Sequence, residues 1–190
     1  MSRDRLALEG PEGTLEAVLE GETESPALLA IVCHPHPQFG GTMDNKVVTT
    51  LIRAARDAGA AALRFNFRGV GESQGAYSDG IGEVEDLIAV HRWLSKKYPN
   101  TPLWLAGFSF GSFVAARGAE VLAANGEAPA ALFLVAPPVH HYGFETIENV
   151  GCPVTVVQGE DDEVVPADKV FRWAESTALA PDLIRFPDSG

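Results

Sequence analysis

Short, continuous apolar runs alternate along the chain with segments in which apolar residues recur every three or four positions. Runs of this length are typical of strands buried on both faces, whereas the longer period is typical of amphipathic helices. The predicted strands are "ALLAIVCH", "AALRFNF", "PLWLAG", "ALFLVAP", "PVTVVQG" and "DLIRF". This alternation predicts a single α/β domain over residues 1–190, with a mostly parallel sheet covered by helices on both faces.

An N-terminal hairpin and four helices complete the predicted order of elements. The hairpin pairs "RLALEG" with "LEAVLEG", whose alternating patterns flank a turn. The helices are predicted over residues 44–58, 82–98, 109–125 and 167–176. Asp44 is the expected N-cap of the first helix, because a short polar side chain can accept a hydrogen bond from a free helix N–H. Gly59 is expected to end this helix, because glycine readily adopts the left-handed conformation that follows a helix.

The charge balance narrows the classes of partner. The chain has 14 Lys and Arg residues against 26 Asp and Glu residues, which gives a formal net charge of -12. Such an excess of negative charge repels phosphate backbones and anionic lipid, so neither nucleic acid nor a membrane surface is an expected partner. The N-terminus has no signal-peptide core and no apolar run is long enough to span a membrane, which predicts a cytoplasmic protein.

The sequence "GFSFG" at residues 107–111 directly follows a predicted strand and opens a predicted helix. The five letters alone are a weak signal, because a glycine turn with a serine helix cap has the same pattern. In a sharp strand-to-helix turn, small flanking residues let the backbones approach closely and lift the serine hydroxyl above the sheet. The N–H groups of the following helix favour the oxyanion of acyl transfer. Ser109 is therefore the predicted nucleophile.

Together with two further loops, this turn resembles the α/β-hydrolase superfamily. The segment "NFRGVGES" looks like the structural loop after the family's fourth strand, and "QGEDDEVVP" looks like the loop after the seventh. The resemblance implies an α/β-hydrolase fold in which Asp162 accepts a hydrogen bond from the catalytic histidine and stabilises its imidazolium. Asp161 is the alternative acid, and a solvated acidic turn is the alternative interpretation of the whole loop.

The segment "CHPHPQFGGTMDNK" follows the third strand of this fold, where the superfamily places its second oxyanion donor. Its two prolines have no N–H, which leaves the amides of His36, Gln38 and Phe39. The predicted oxyanion hole pairs the amides of His36 and Phe110. This segment and the "GFSFG" turn most resemble a group of small, poorly characterised bacterial α/β-hydrolases.

Several histidines raise the question of ligand binding. His34 and His36 are spaced as two metal ligands can be, but no recognisable motif supplies a third, so we expect no metal site and no cofactor. His140 follows the strand "ALFLVAP" at the sheet edge where ligands bind, which makes it a candidate for the substrate pocket together with Phe39. An exposed loop pair with His141 is the alternative for His140.

The segment between Pro138 and Pro153 is short. Many relatives carry a lid after the sixth strand, and this segment is too short for one, so an open, shallow site is expected. The implied function is hydrolysis of small carboxylic esters or thioesters through an acyl-enzyme on Ser109, with a small-molecule acyl substrate as partner. The alternative is a catalytically degenerate α/β-hydrolase fold that serves as a binding or scaffold protein.

The base that would activate Ser109 has no match in these residues. The superfamily order is nucleophile, acid and then histidine, with the histidine after the eighth strand. All five histidines precede Asp162, and only "PDSG" follows the last predicted strand. We therefore expect residues 1–190 to be truncated after strand eight, with the histidine and a terminal helix beyond Gly190. His140 and His141 are the alternative bases.

Overall fold

A computed structural model describes residues 2–190, which form an eight-stranded sheet and four α-helices. The strands are β1 (Ser2–Gly10), β2 (Gly13–Gly21), β3 (Leu28–Cys33), β4 (Ala60–Phe65), β5 (Leu103–Phe108), β6 (Ala131–Val135), β7 (Val154–Gly159) and β8 (Asp182–Phe186). The helices are α1 (Lys46–Asp57), α2 (Ile81–Lys97), α3 (Phe110–Ala124) and α4 (Ala167–Ser176). Two short 3-10 helices, Pro37–Phe39 and Phe144–Thr146, lie in loops.

The strands are arranged in the order β1-β2-β4-β3-β5-β6-β7-β8. β1 and β2 form the predicted antiparallel hairpin, β2 is antiparallel to β4, and every neighbouring pair from β4 to β8 is parallel. The predicted mostly parallel sheet is therefore confirmed. Because β3, β5, β6 and β7 run in the same direction, the loops that leave them meet at one edge of the sheet.

Helices cover both faces of the sheet, as predicted. On one face α1 packs Val48, Ile52 and Ala55 against small strand residues. On the other face α2, α3 and α4 enclose a larger core, to which they contribute residues such as Leu87 and Val114. β3 and β4 are buried along their whole length, which accounts for their continuous apolar runs.

The start of α1 corrects the expected helix cap. Asn45, and not Asp44, is the N-cap, and its side-chain oxygen accepts a hydrogen bond from the Val47 N–H at 2.9 Å. Asp44 instead forms an ion pair with the buried guanidinium of Arg64. The Arg64 guanidinium also pairs with Glu20 at 3.0 Å, so Asp44 adds a second carboxylate to a buried charge, and Asn45 caps the helix as well as Asp would.

The segment between β6 and β7 leaves the carboxyl edge of the sheet open. Its only regular element within the described residues is the 3-10 helix Phe144–Thr146. The predicted absence of a lid domain therefore holds for residues 2–190. No helix in this part of the chain combines the length and the apolar character needed to cross a bilayer.

Candidate active site

Ser109 occupies the sharp turn between β5 and α3, with backbone angles φ 52° and ψ -124°. A positive φ is costly for any residue with a side chain, so the surrounding structure must impose it. Ideal Cβ atoms added at the flanking glycines show how tightly this turn is packed. At Gly107 the added atom would lie 2.0 Å from the Gly111 carbonyl oxygen, and at Gly111 it would lie 2.4 Å from the Cys33 carbonyl oxygen.

The Ser109 side chain makes no capping hydrogen bond to α3. It therefore does not act as the simple helix cap that the five-letter pattern also allows. Its backbone is fixed on both sides, because its N–H donates to the Val135 carbonyl at 2.9 Å and its carbonyl accepts from the Ser112 hydroxyl at 2.6 Å. Ser109 lies directly after β5, next to the N-terminus of α3.

A cavity of about 310 Å³ lies at this edge and includes Ser109 in its wall. Aromatic, histidine and small apolar side chains from four loops line the rest of the cavity. These residues are His36, Phe39, Phe110, Pro138, His140, His141, Tyr142, Val164 and Val165. The structure therefore brings together the predicted nucleophile, both predicted oxyanion residues and both predicted pocket residues.

The loop after β3 presents the His36 amide as the remaining candidate oxyanion donor. The Gln38 N–H donates to His36 Nδ1 at 3.2 Å, and the Phe39 N–H donates to the His36 carbonyl at 3.1 Å. Both competing amides are thus engaged inside the loop. The His36 ring lies 5.0 Å from the Phe110 ring between centroids, so the two predicted donors belong to neighbouring residues.

Buried polar side chains anchor this loop to the chain that follows β4. The His34 ring is fully buried, with Nδ1 2.6 Å from the Pro35 carbonyl and Nε2 3.1 Å from the Phe67 N–H. Burial lowers the pKa of His34 to about 4, although the bond to Pro35 partly offsets this effect. Nδ1 therefore donates to Pro35, and Nε2 accepts from Phe67. Asn66 also holds the loop, because its Oδ1 accepts a hydrogen bond from the Met43 N–H at 2.8 Å.

Tyr142 lines the cavity and Tyr77 lies behind it in contact with His36, and sequence analysis missed both tyrosines. Tyr77 Oη lies 3.0 Å from His36 Nε2, and its hydroxyl also interacts with that of Tyr142. Burial raises the pKa of each tyrosine, so both hydroxyls remain protonated at neutral pH. No local motif marks either residue, because their partners are distant in sequence.

Asp162 lies in the loop after β7, and its carboxylate is directed toward the backbone of that loop. Oδ1 accepts hydrogen bonds from the N–H groups of Val164 at 2.9 Å and Val165 at 2.8 Å. Oδ2 lies 3.4 Å from the side-chain amide of Gln158. We call this segment after β7 the acid loop. Its residues Val164 and Val165 line the Ser109 cavity, so the bonds from Asp162 fix a part of the loop that forms the cavity wall. Asp161, the alternative acid, is exposed.

The two histidines after β6 are both exposed and both line the cavity. Their ring centroids lie 3.9 Å apart with the ring planes tilted by 44°, and partial burial lowers the pKa of His140, with His141 and Lys169 adding to the effect. Within residues 2–190, no histidine donates to the Asp162 carboxylate. Phe39 stands at the mouth of the cavity with 85% of its surface exposed.

Metal binding has no ligand cluster in the described chain. Residues 2–190 contain no group of three or more histidine, cysteine or acidic side chains placed to hold an ion. The two histidines with suitable spacing have other partners, since His34 bonds to Pro35 and Phe67 while His36 bonds to Gln38 and Tyr77.

Known proteins of the α/β-hydrolase fold resemble this chain in sequence and in structure. A model of the alpha/beta hydrolase fold matches residues 35–151. The crystal structure of an α/β serine hydrolase without a lid from Xanthomonas campestris is 40% identical, with a TM-score of 0.89 over 99% of this chain and 85% of that chain. An uncharacterized Rickettsia prowazekii protein is 38% identical over 170 residues, which are 87% of this chain and 70% of that protein. The lysophosphatidylserine lipase ABHD12 of Danio rerio is 26% identical over 66% of this chain, which spans 42% of that lipase.

Proposed function

The chain belongs to the α/β-hydrolase family, and from this premise we propose that it hydrolyses small carboxylic esters or thioesters, with Ser109 as the nucleophile. The family and the similar serine hydrolase of known structure support a hydrolase. The geometry around Ser109 supports its assignment as the nucleophile and the proposed substrate class.

The strained conformation of Ser109 carries this proposal. A serine with φ 52° persists only where surrounding packing imposes it, and such strain is concentrated at functional sites. Here the strained residue stands at the N-terminus of α3, in the wall of a cavity, without a capping bond. A helix N-terminus offers free N–H groups to a developing negative charge.

The proposed reaction is a two-step acyl transfer. Ser109 Oγ attacks the substrate carbonyl carbon while its proton passes to a histidine base. The carbonyl oxygen becomes an oxyanion, for which the amides of Phe110 and His36 are the donors. Collapse of this intermediate breaks the bond to the alcohol or thiol, which leaves with the proton. A water molecule then attacks the acyl-enzyme in the same manner and releases the acid.

We further propose that Asp162 orients this base and that the base is a histidine in the polypeptide that follows Gly190. The backbone after β8 runs beside the acid loop, because the Asp161 N–H donates to the Ser189 carbonyl at 2.9 Å. A Cβ atom added to Gly190 would lie 3.2 Å from the Asp162 Cα. A residue soon after Gly190 therefore has short access to Asp162, and His140 and His141 are the competing bases.

The size and lining of the cavity support a small acyl substrate. Its volume of about 310 Å³ is at the lower end of the range for small-molecule sites, and its lining is mainly apolar and aromatic. The open edge of the sheet leaves room for different leaving groups. The net charge of -12 disfavours strongly anionic substrates.

Labelling with a fluorophosphonate probe tests the nucleophile. In the polypeptide encoded by the full coding sequence, we expect covalent labelling that Ser109→Ala abolishes, together with a loss of esterase activity of about 10³-fold or more. Ser176→Ala removes an equivalent hydroxyl from the exposed side of α4 and should leave labelling and activity unchanged. A folded protein that is not labelled, yet binds an acyl ligand, would favour the binding or scaffold alternative.

The position of the base is tested separately by comparing residues 1–190 with the full polypeptide. Loss of the base should slow ester hydrolysis by roughly 10²- to 10⁴-fold in the shorter chain. Comparable rates would reject a base beyond Gly190 and redirect attention to the cavity histidines, where His140→Ala and His141→Ala identify the one responsible.

A further inference from the structure

Three polar side chains, His36, Tyr77 and Tyr142, interact in a row beside the Ser109 cavity. His36 Nε2 lies 3.0 Å from Tyr77 Oη, and the Tyr77 hydroxyl interacts in turn with that of Tyr142. His36 and Tyr142 line the cavity together with Ser109. The row therefore begins in the loop after β3 and ends at Tyr142, in the wall of the cavity that also contains the proposed nucleophile.

The direction of these hydrogen bonds follows from the Gln38 amide. The Gln38 N–H can only donate, so His36 Nδ1 must accept it, at 3.2 Å. A neutral imidazole with an accepting Nδ1 carries its proton on Nε2, and that proton is donated to the Tyr77 oxygen. The Tyr77 proton is then free for the neighbouring Tyr142 hydroxyl. The proton of Tyr142 itself remains for a further acceptor.

The surroundings of His36 keep its ring neutral. Partial burial lowers the pKa of His36, although the nearby carboxylates of Glu83 and Asp79 oppose this effect. A neutral ring preserves the accepting Nδ1 on which the direction of the row depends. Protonation would replace the bond from Gln38 with a contact between two donors, so the row is intact at neutral pH.

Packing fixes the Tyr142 ring beside the proposed oxyanion site. It stacks on Phe113 with centroids 4.9 Å apart and meets the Phe110 ring edge-on at 5.5 Å. Phe110 supplies one of the two proposed oxyanion amides. Among the described residues, no acceptor takes the Tyr142 proton. A half-buried hydroxyl with its proton uncommitted is suited to hydrogen bonding with a ligand.

We propose that the Tyr142 hydroxyl donates a hydrogen bond to a second oxygen atom of the substrate, and that His36 and Tyr77 position it for this role. This inference rests on the proposed hydrolysis at Ser109 and narrows its substrate class. The preferred substrates carry an ether, hydroxyl or carbonyl oxygen near the scissile carbonyl, in addition to the ester itself. Tyr142 is a specificity residue, and His36 and Tyr77 are positioning residues.

Matched pairs of esters test this preference in the full polypeptide. p-Nitrophenyl methoxyacetate differs from p-nitrophenyl butyrate by one oxygen in place of a methylene, and the 3-methoxypropionate and valerate esters form a second pair. The intrinsic reactivities of the two esters cancel when their kcat/KM ratio is compared between protein variants. We expect Tyr142→Phe to lower the methoxy-to-alkyl ratio about tenfold in at least one pair, as loss of one buried hydrogen bond implies.

Two further tyrosine variants complete the test. Tyr77→Phe keeps Tyr142 but removes the acceptor of the His36 proton and the donor to Tyr142, so the ratio should fall about threefold. Tyr98→Phe removes a hydroxyl that donates to the Thr23 carbonyl, away from the site, and should leave the ratio unchanged. Thermal unfolding of each variant checks that it is folded.

The outcomes separate this inference from the function on which it rests. An unchanged ratio in Tyr142→Phe, with both esters still hydrolysed, overturns the role of Tyr142 and leaves the proposed hydrolysis intact. An equal loss for both members of each pair makes Tyr142 a structural residue and also overturns it. If the unsubstituted protein is not labelled at Ser109 and hydrolyses neither ester, the proposed function fails and this inference fails with it.

Discussion

The loops after β3 and after β7 both border the Ser109 cavity, but the first is held by more buried polar side chains. His34, Arg64 and Asn66 hold the β3 loop and are 0%, 2% and 4% exposed. The β7 loop is held by the carboxylate of Asp162, which bonds to the loop's own backbone, and by the buried amide of Gln158, which donates to the Val165 carbonyl at 3.3 Å. Most of its residues are exposed, as are most residues of the neighbouring edge strand β8.

The difference indicates how the two parts of the site are stabilised. The nucleophile and the proposed oxyanion donors derive their positions from packing and buried hydrogen bonds, so changes there should reduce global stability. The acid loop derives its shape from a few local bonds near solvent, so changes there should act locally. Buried polar groups that lose a partner cost much more than exposed ones, which gives this contrast an energetic basis.

The largest effect is expected at Gly111, where α3 passes the β3 loop. An alanine Cβ there would lie 2.4 Å from the Cys33 carbonyl oxygen and 2.5 Å from the His34 carbonyl oxygen. Backbone atoms on both sides must move to relieve these contacts, so Gly111→Ala should lower the free energy of unfolding by more than about 3 kcal/mol. Urea unfolding measured by circular dichroism checks this value.

Gly143→Ala is the matched control, because its added Cβ has its nearest neighbour at 3.5 Å, an ordinary contact distance. Its unfolding free energy should stay within about 0.5 kcal/mol of the unsubstituted protein. If Gly111→Ala is equally mild, the β3 loop is more adaptable than its packing indicates, and the contrast between the two loops disappears.

Local patterns predicted the elements of this fold well, because each buried strand and each amphipathic helix has its own characteristic spacing of apolar residues. The helix predicted over residues 167–176 has these bounds in the structure. The cap of α1 was assigned to the wrong residue, since the ion pair that engages Asp44 joins two residues far apart in the chain. A helix cap depends on neighbours in sequence only when no long-range partner competes for it.

In the candidate site too, residues in local motifs could be predicted, whereas residues defined by long-range contacts could not. Ser109 was predictable because its turn is local and has small flanking residues, and the chain brings His36, Phe39 and His140 to its cavity. Tyr77 and Tyr142 could not be predicted, because Tyr77 meets His36 across 41 residues of sequence. His34 was noted only for its spacing from His36, whereas its contacts give it an anchoring role.

The second prediction concerns acid stability through His34. Its pKa is lowered to about 4 in the folded protein, whereas an unfolded chain takes up the proton near the ordinary value of about 6.5. The unfolded state thus binds more protons as the pH falls, and stability that is complete above about pH 6.5 is lost toward pH 4. The loss amounts to about 3 kcal/mol by linkage.

His34→Gln supplies an acceptor for the Phe67 N–H that does not titrate in this range. The variant should lose less stability than the unsubstituted protein between pH 7 and pH 4.5, when urea unfolding is measured at each pH. His141→Gln replaces an exposed histidine and controls for the general effect of removing an imidazole. Identical pH profiles for the His34 variant and the unsubstituted protein would show that burial of His34 does not set the acid response.

The smallest effect on stability is expected in the acid loop. Asp162→Ala removes the acceptor of the Val164 and Val165 N–H groups, but the loop lies near solvent, so the cost should be about 1 kcal/mol. Asp161→Ala, at the exposed neighbouring acid, should cost less than about 0.5 kcal/mol. Urea unfolding of both variants, alongside esterase assays of the full polypeptide, tests stability and function together. If Asp162 orients the base, its variant loses most of its activity with little loss of stability, whereas a cost above about 3 kcal/mol would make the acid loop as deeply anchored as the β3 loop.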